Sequence, residues 1–556
     1  MTHTPSPLSL DRRRLLVGSS ALLLGGLTGI ERVRAAAPLL TVGSRTLEVK
    51  GKAATVFGLT GPNGQPGLVA REGERFAGEV VNATGGPLIM HWHGQVLAAF
   101  DQDRSRPGGG ETPVGGRDVH DFRLTPGTHW MHSHQMTEQR LLAAPMVTIE
   151  KDAGDVQNVV VMLHDFAFRS PEEILAELGG AGSAHGAHGA AAAPVQDPHA
   201  GHGAAPTPAP APAQSGDHAG HGAPAPQSGA MPGMAMGQMN GHAMHGPGAM
   251  PGMGPGMMQG MGPGMMQGMS PGAMPGMGPG AMMGMMGAAP HANDVRYDAH
   301  LANDRTLDDP QVVRVERGGR VRLRLVNGAT ATAYFVDTGG LAAECVAVDG
   351  SPCRPLAGTR FPLAQGQRID LVVTVPREGG AFPILAQVEA DRALTGIVLA
   401  TAGAEVKRLT DTAKAAAAHT DLSLDLRLAA ARPLAVRPAD RTFHLMLGEA
   451  PGYRWTLNGA VHGEHRPLEA KVGERIEIMF MNPTSMMHPM HLHGHHFQVV
   501  GSRGGRFAGP MRDTVIVPPH TPVVVAVDLD KPGDWFLHCH HLYHMATGMM
   551  TELKVS

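Results

Sequence analysis

Four His-x-His pairs stand out in a chain with 32 histidines: His91-Trp92-His93, His132-Ser133-His134, His491-Leu492-His493 and His538-Cys539-His540. On an extended strand residues i and i+2 share a face while i+1 points away, so each pair can aim two imidazoles at one point. Imidazole is a ligand for transition metals, and eight of them converging would hold more than one ion. The last pair adds a thiol: Cys539 must point opposite to His538 and His540, toward a different metal. His544 and Met549 follow it, and His488 stands just before the third pair. Two imidazoles, one thiolate and a weak thioether form the ligand set of a blue-copper electron-transfer site. Cys539 would then touch one metal while its two neighbours hold others, a short covalent route for electrons.

The elements that carry these pairs repeat. Gly-x-Arg followed by Asn nine residues after the Gly occurs as Gly73 to Asn82, Gly318 to Asn327 and Gly473 to Asn482. Each reads as a strand in period two, clearest in Arg320-Val-Arg-Leu-Arg-Leu325. Nine and eleven residues beyond Asn82 lie His91 and His93, and the same offsets from Asn482 give His491 and His493; from Asn327 they give Val336 and Thr338. A second register starts at Gly127 and Gly533, five residues before His132 and His538, whereas Gly379 leads to Ile384. Short alternating strands with Gly and Pro punctuation predict three all-β sandwiches. The middle copy lacks ligands, so the eight imidazoles converge only if the outer copies pack together. A short helix is expected after Ser170-Pro-Glu-Glu.

The motifs His91-Trp-His-Gly94, His132-Ser-His134, His488-Pro-Met-His-Leu-His-Gly494 and His538-Cys-His-His-Leu-Tyr-His-Met-Ala-Thr-Gly-Met549 resemble, in order, the four copper motifs of the multicopper oxidases. The resemblance implies three consecutive cupredoxin-like Greek-key β-sandwich domains and four copper ions. It places type 1 copper on His488, Cys539, His544 and axial Met549, and type 2 copper on His91 and His491. The type 3 pair falls to His93, His132, His134, His493, His538 and His540. Cys539, His538 and His540 would carry electrons from four one-electron oxidations to O2, which becomes water. Tyr297 to Thr306 and the context of His544 look most like the bacterial periplasmic copper-resistance oxidases, with laccase-like chemistry as a second substrate class. One departure is Met545, where related enzymes often carry a proton-donating Glu; Asp101, Asp103 and Asp121 are the alternative acids near the first two motifs.

Composition narrows the rest. Lys and Arg total 45 against 49 acids, so no basic excess advertises nucleic acid. Residues 179–291 hold 19 of the 35 Met and no Leu, Ile, Phe, Tyr or Trp, and so cannot bury a core. Gly254 to Met261 recurs unchanged as Gly262 to Met269, and eight His lie between His185 and His245. Thioethers suit Cu(I), which makes Met257, Met258, Met265 and Met266 accessory ligands in a copper-collecting tether, or passengers in a low-complexity insert. Arg12-Arg13-Arg14 before a weakly apolar stretch has the order of a twin-arginine export signal, too short and Gly-rich to span a membrane once in the mature protein. The division is then 1–37 signal, 38–178 first domain, 179–291 insert between the first two domains, 292–415 second domain and 416–556 third domain.

Other residues weigh less. Met486, Met487 and Met490 bracket His488 and are either accessory Cu(I) ligands or packing residues. Cys345 and Cys353 form a disulfide or remain thiols. His495, His496 and His541 adjoin ligands and are expected to support them or lie at the surface, and His129 and His164 are expected to be structural. The reading is a monomeric periplasmic oxidase using O2 and Cu(I), or phenolic small molecules as a laccase would. The remaining alternative is a copper-sequestering protein.

Overall fold

The computed structural model describes residues 39–61, 63–179 and 291–556. The export signal and nearly all of the Met- and His-rich tract, including Met257, Met258, Met265 and Met266, lie outside the described residues. The chain is nearly all β, in three cupredoxin-like sandwiches. In the first, the sheet Lys52–Thr60, Leu39–Val49, Arg75–Ala83, Arg117–Arg123 and the sheet Leu68–Arg71, Ala143–Ile149, Gly127–Ser133, Met90–His93 share a core that includes Leu40, Phe76, Trp92, Phe122 and Met146. Arg117–Arg123 alternates exposed and buried side chains along its length, as a half-buried strand must. The other two sandwiches each enclose a larger core of Val, Ile, Leu and Phe.

The threefold repeat is visible in pairing. Leu39–Val49 runs parallel to Arg75–Ala83, Gln157–Phe166 to Arg320–Asn327, and Arg441–Ala450 to Arg475–Met481. Gly73, Gly318 and Gly473, which lead into the second strand of each pair, all have positive φ, which explains why the repeat begins on Gly. The Asn that closes it does one job three times. Asn82, Asn327 and Asn482 are buried, and each accepts a backbone N–H two residues on and donates to carbonyls of more distant chain, Thr112, Leu363 and Val517 respectively.

Strand pairing moves one expected boundary. Gln157–Phe166 lies in the span assigned to the first domain, yet it pairs with Arg320–Asn327 and with Ala299–Ala302, so the second sandwich begins near residue 157 and not at 292. Ala299 sits opposite Phe166 as Lys52 sits opposite Val49 and Arg454 opposite Ala450. The tract therefore departs and returns where the other sandwiches make their first hairpin connection. The sequence could not reveal this, because the hairpin partners are more than a hundred residues apart. The helix Pro171–Glu177 forms as expected, with Ser170 and Glu173 closing a reciprocal capping box.

Candidate metal centre

Two strand pairs, one from each outer sandwich, present the imidazoles. His91 lies opposite His132 across Met90–His93 and Gly127–Ser133, and His491 lies opposite His538 across His488–Leu492 and Gly533–Cys539. The intervening residues point away as period two demands: Trp92 packs into the first core and Cys539 into the third. Between the sandwiches the eight imidazoles sort into groups. His93, His132 and His540 form one trio and His134, His493 and His538 another, with ligand atoms within 4.8 Å of one another. His91 and His491 meet Nε2 to Nε2 at 3.2 Å, and His93 places a ligand atom within 4.8 Å of both.

The outer nitrogens show what the inner ones are for. His132, His491, His493 and His538 each place Nδ1 within 2.8–3.1 Å of a backbone carbonyl, of Ser133, Asp513, Ser105 and Cys539 respectively. A carbonyl only accepts, so Nδ1 carries the proton and Nε2 turns a lone pair inward. His91 Nδ1 likewise donates to Asp103, at 2.7 Å. His93 is reversed: Nε2 faces the Asp513 carboxylate at 3.1 Å and Nδ1 is left inward. Lone pairs then confront one another at His493 Nε2 and His538 Nε2, 3.0 Å apart, and His134 Nε2 lies 3.2 Å from the same His538 Nε2. Buried nitrogens of His93, His132 and His540 have no hydrogen-bond partner at all. Such an arrangement is unfavourable in itself and becomes favourable around cations. Burial, reinforced by neighbouring imidazoles, holds His134, His493 and His540 well below the usual histidine range, which keeps them in the neutral, ligating form.

A second group lies on the other side of the Gly533–Cys539 strand. Cys539 Sγ is 3.7 Å from Nδ1 of both His488 and His544, and those two Nδ1 atoms are 3.3 Å apart. Met549, fully buried, is tied to this segment by its backbone: the Cys539 N–H donates to its carbonyl and its own N–H donates to His544 O. Thr484 Oγ1 fixes His488 Nε2 at 2.9 Å, and Trp455 stacks on the His544 ring at 3.8 Å. Burial pushes the Cys539 thiol up, so a thiolate here depends on a bound cation. Both groups fit the ligand chemistry of copper: imidazole clusters in one, soft thiolate with imidazole in the other.

Several neighbours were not legible in the sequence. Asp294 Oδ2 lies 3.5 Å from His544 Nε2 and accepts a hydrogen bond from Tyr453, while its Oδ1 is 3.2 Å from His541 Nε2. Asp513, Arg368 and Glu138 stand behind the cluster, Glu138 at 3.1 Å from His132 Nδ1. Only a charged pair, Arg512-Asp513, just before the apolar strand Thr514–Val517 hints at any of them.

Among the acids near the first motifs, Asp103 reaches His91, whereas Asp121 pairs with Arg75 at 2.8 Å near the surface and Asp101 lies in the turn Phe100–Gln102. Met486, Met487 and Met490 are buried in the third core, at most 7% exposed. His541 is buried and stacks on His544 at 3.7 Å, and His495 sits edge-on to Trp535. His164 bonds Gly328 O. Cys345 and Cys353 bury their sulfurs 3.9 Å apart as thiols.

Comparison with known proteins agrees with this geometry. Three family models, each described as multicopper oxidase, match residues 41–153, 280–404 and 436–556. The multicopper oxidase MmcO of Mycobacterium tuberculosis is 32% identical over 47% of this chain and 51% of its own length. Copper resistance protein A of Escherichia coli is 38% identical over 21% of this chain and 20% of its own, and Laccase-4 of Thanatephorus cucumeris 27% identical over 41% and 50%. The matched part thus spans about half or less of these relatives. In fold, the laccase of Botrytis aclada superposes with a TM-score of 0.63 at 17% identity, covering 93% of this chain and 87% of that one. A multi-copper oxidase from Pseudomonas thermotolerans gives 0.58 at 19% identity, covering 93% and 99%. With three family models covering most of its length, and clustered histidines contributed by each outer sandwich, the chain belongs to the multicopper oxidase family.

Proposed function

We propose that the protein is a four-copper oxidase that draws electrons singly from Cu(I) and passes them to O2, in copper tolerance after twin-arginine export to the periplasm. The observation that carries the reading is the alternation at His538-Cys539-His540: Sγ lies in one metal group and the flanking imidazoles in the two trios of the other. When bound, copper would supply the one-electron steps at Cys539 and the reduction of O2 to water among the histidines. In these terms His488, Cys539, His544 and Met549 are the type 1 ligands, His91 and His491 the type 2 pair, and the two trios the type 3 ligands.

The chain's own groups set the conditions. Carbonyls and carboxylates at the outer nitrogens fix the tautomers, so the ligands are ready without rearrangement. Burial excludes water from the thiolate. Asp103, hydrogen-bonded to His91, is the acid best placed to handle protons where Met545 replaces Glu.

Cu(I) is favoured as reductant by the surroundings of His544. Its ring is fully buried, Trp455 covers one face and His541 stacks on it, and the Asp294 carboxylate stands at its outer nitrogen. A carboxylate attracts a small cation, and the closed faces leave little room for a phenol ring. Organic oxidation remains the second reading, supported by the likeness to Laccase-4. Steady-state rates with Cu(I) and with a simple phenol at controlled free copper test the choice. Cu(I) should give the higher kcat/KM; a clear preference for the phenol would overturn it.

A further inference from the structure

The middle sandwich brings no ligand to the cluster, yet it brings a charge. Arg368, which opens the strand Arg368–Thr374, reaches out of the second sandwich with its side chain completely buried. Its two terminal nitrogens meet the two oxygens of Asp513 in a bidentate pair, both at 2.6 Å. Nε donates to Thr128 O at 3.2 Å and Nη1 also to Gly366 O at 3.0 Å, so one guanidinium ties together backbone from the first and second sandwiches and a carboxylate from the third. Space around it is tight. A Cβ on Gly94, the last residue of the first motif, would fall 2.6 Å from Arg368 Nη2 and 2.3 Å from His129 Nδ1.

Asp513 in turn holds two ligands. Its Oδ1 accepts from His93 Nε2 at 3.1 Å, and its backbone carbonyl accepts from His491 Nδ1 at 2.8 Å. Those imidazoles, one from a type 3 trio and one from the type 2 pair, are stacked at 3.8 Å with planes 14° apart. His491 Nδ1 at 3.8 Å, His496 Nε2 at 3.7 Å and Thr514 Oγ1 at 3.0 Å also face the carboxylate, and Asp349 at 3.9 Å and His129 at 3.4 Å face the guanidinium.

A carboxylate that deep is retained only with a matched cation, and one bonded to a single charge donor would be free to rotate. The planar fork of arginine fixes its plane as well as its charge. The His93 tautomer depends on that plane, because His93 must give its Nε2 proton away to turn Nδ1 inward. We propose that Arg368 is a positioning residue for the junction of the type 2 and type 3 sites, acting through Asp513 on His93 and His491. The ligand-free middle sandwich is thereby a working part of the cluster. This rests on the four-copper reading above.

The test is made on full-length, copper-loaded protein. Arg368→Gln should keep the blue absorption of type 1 copper and change the type 2 electron-paramagnetic signal. It should lower kcat about 10–100-fold, the range found when such supporting groups are removed, and leave KM for Cu(I) unchanged. Arg368→Lys, with charge but no fork, should fall between. Because a lone buried Asp513 could prevent folding, the double change Arg368→Met with Asp513→Asn, which strands no charge, should fold and show the same type 2 alteration. An unaltered type 2 signal and kcat in these variants overturns the proposal. So does uniform loss of all copper in step with unfolding, with no selective change in Arg368→Lys, since that is a purely structural role. Wild-type protein lacking a type 2 signal would instead refute the four-copper reading.

Discussion

Cys539 is the one residue shared by both metal groups, through its side chain in one and its chain neighbours in the other. Replacing it with Ser keeps size but removes the soft ligand, so the blue absorption and turnover with every reductant should vanish while the fold persists. Residual steady-state oxidase activity in Cys539→Ser would show that electrons bypass this path. Buried histidines that are not ligands bear on acid stability. Burial, then Arg368, lowers His129 to about 3, and burial lowers His300 to about 4. An unfolded histidine titrates near 6.5, so between about pH 6.5 and pH 3 the unfolded chain binds more protons, and stability falls as pH falls. Thermal unfolding of His129→Gln should show a weaker dependence on pH across that window than the parent. The clustering histidines and Cys539 were legible in sequence because period-two spacing is a local property. Asp294, Asp513 and Arg368 were not, since each meets its imidazole from another part of the chain and has no spacing to betray it.

At the scale of strands and turns, the repeated Asn is the clearest link from sequence to site. Asn482 donates to Met486 O at 2.7 Å and to Val517 O at 2.9 Å, and accepts from the N–H of Thr484, whose hydroxyl fixes His488. Asn482→Ala leaves buried backbone groups unpaired and should cost about 1–3 kcal/mol in denaturant unfolding. It should also shift the blue band, because Thr484 loses its support. Asn327→Ala in the middle sandwich should cost a similar amount and leave that band alone; equal spectral shifts in both would break the link between this turn and His488. The repeat announced three sandwiches, but not that Gln157–Phe166 opens the second, because parallel pairing with Arg320–Asn327 leaves no local trace in either strand.

For the whole molecule, the division of labour is uneven. The outer sandwiches supply the clustered histidines and the middle one supplies Arg368 and the turn Asp349-Gly350, whose Asp349 bonds Arg368 N and reaches Arg512 and Thr514. His291 N donates to Ser485 O, and Asp294 follows at His544, so the chain returns to the fold beside the proposed site of electron input. A deletion should therefore remove 180–290 with a short replacement linker and spare 291–294. Such a variant should bind about four coppers if the family's stoichiometry holds, with any excess confined to the full-length chain. Its apparent affinity for Cu(I) should drop while phenol oxidation is unchanged; identical Cu(I) kinetics in the two proteins would reduce the tract to a passenger.

The alternation along Gly533–Cys539 also sets how the chain can change over time. A strand's side chains switch faces with every residue, so a single insertion between Leu537 and His538 would turn both imidazoles toward the thiolate's side and the thiolate toward theirs. No compensating loop shift repairs that, because Leu537, His538 and their neighbours are locked opposite Thr551 and Met550. A hairpin connection has no such register to lose, and lengthening it costs entropy only logarithmically. The same chain that accommodates over a hundred added residues in the second sandwich can accept none in this strand, and length variation among related sequences should be distributed accordingly.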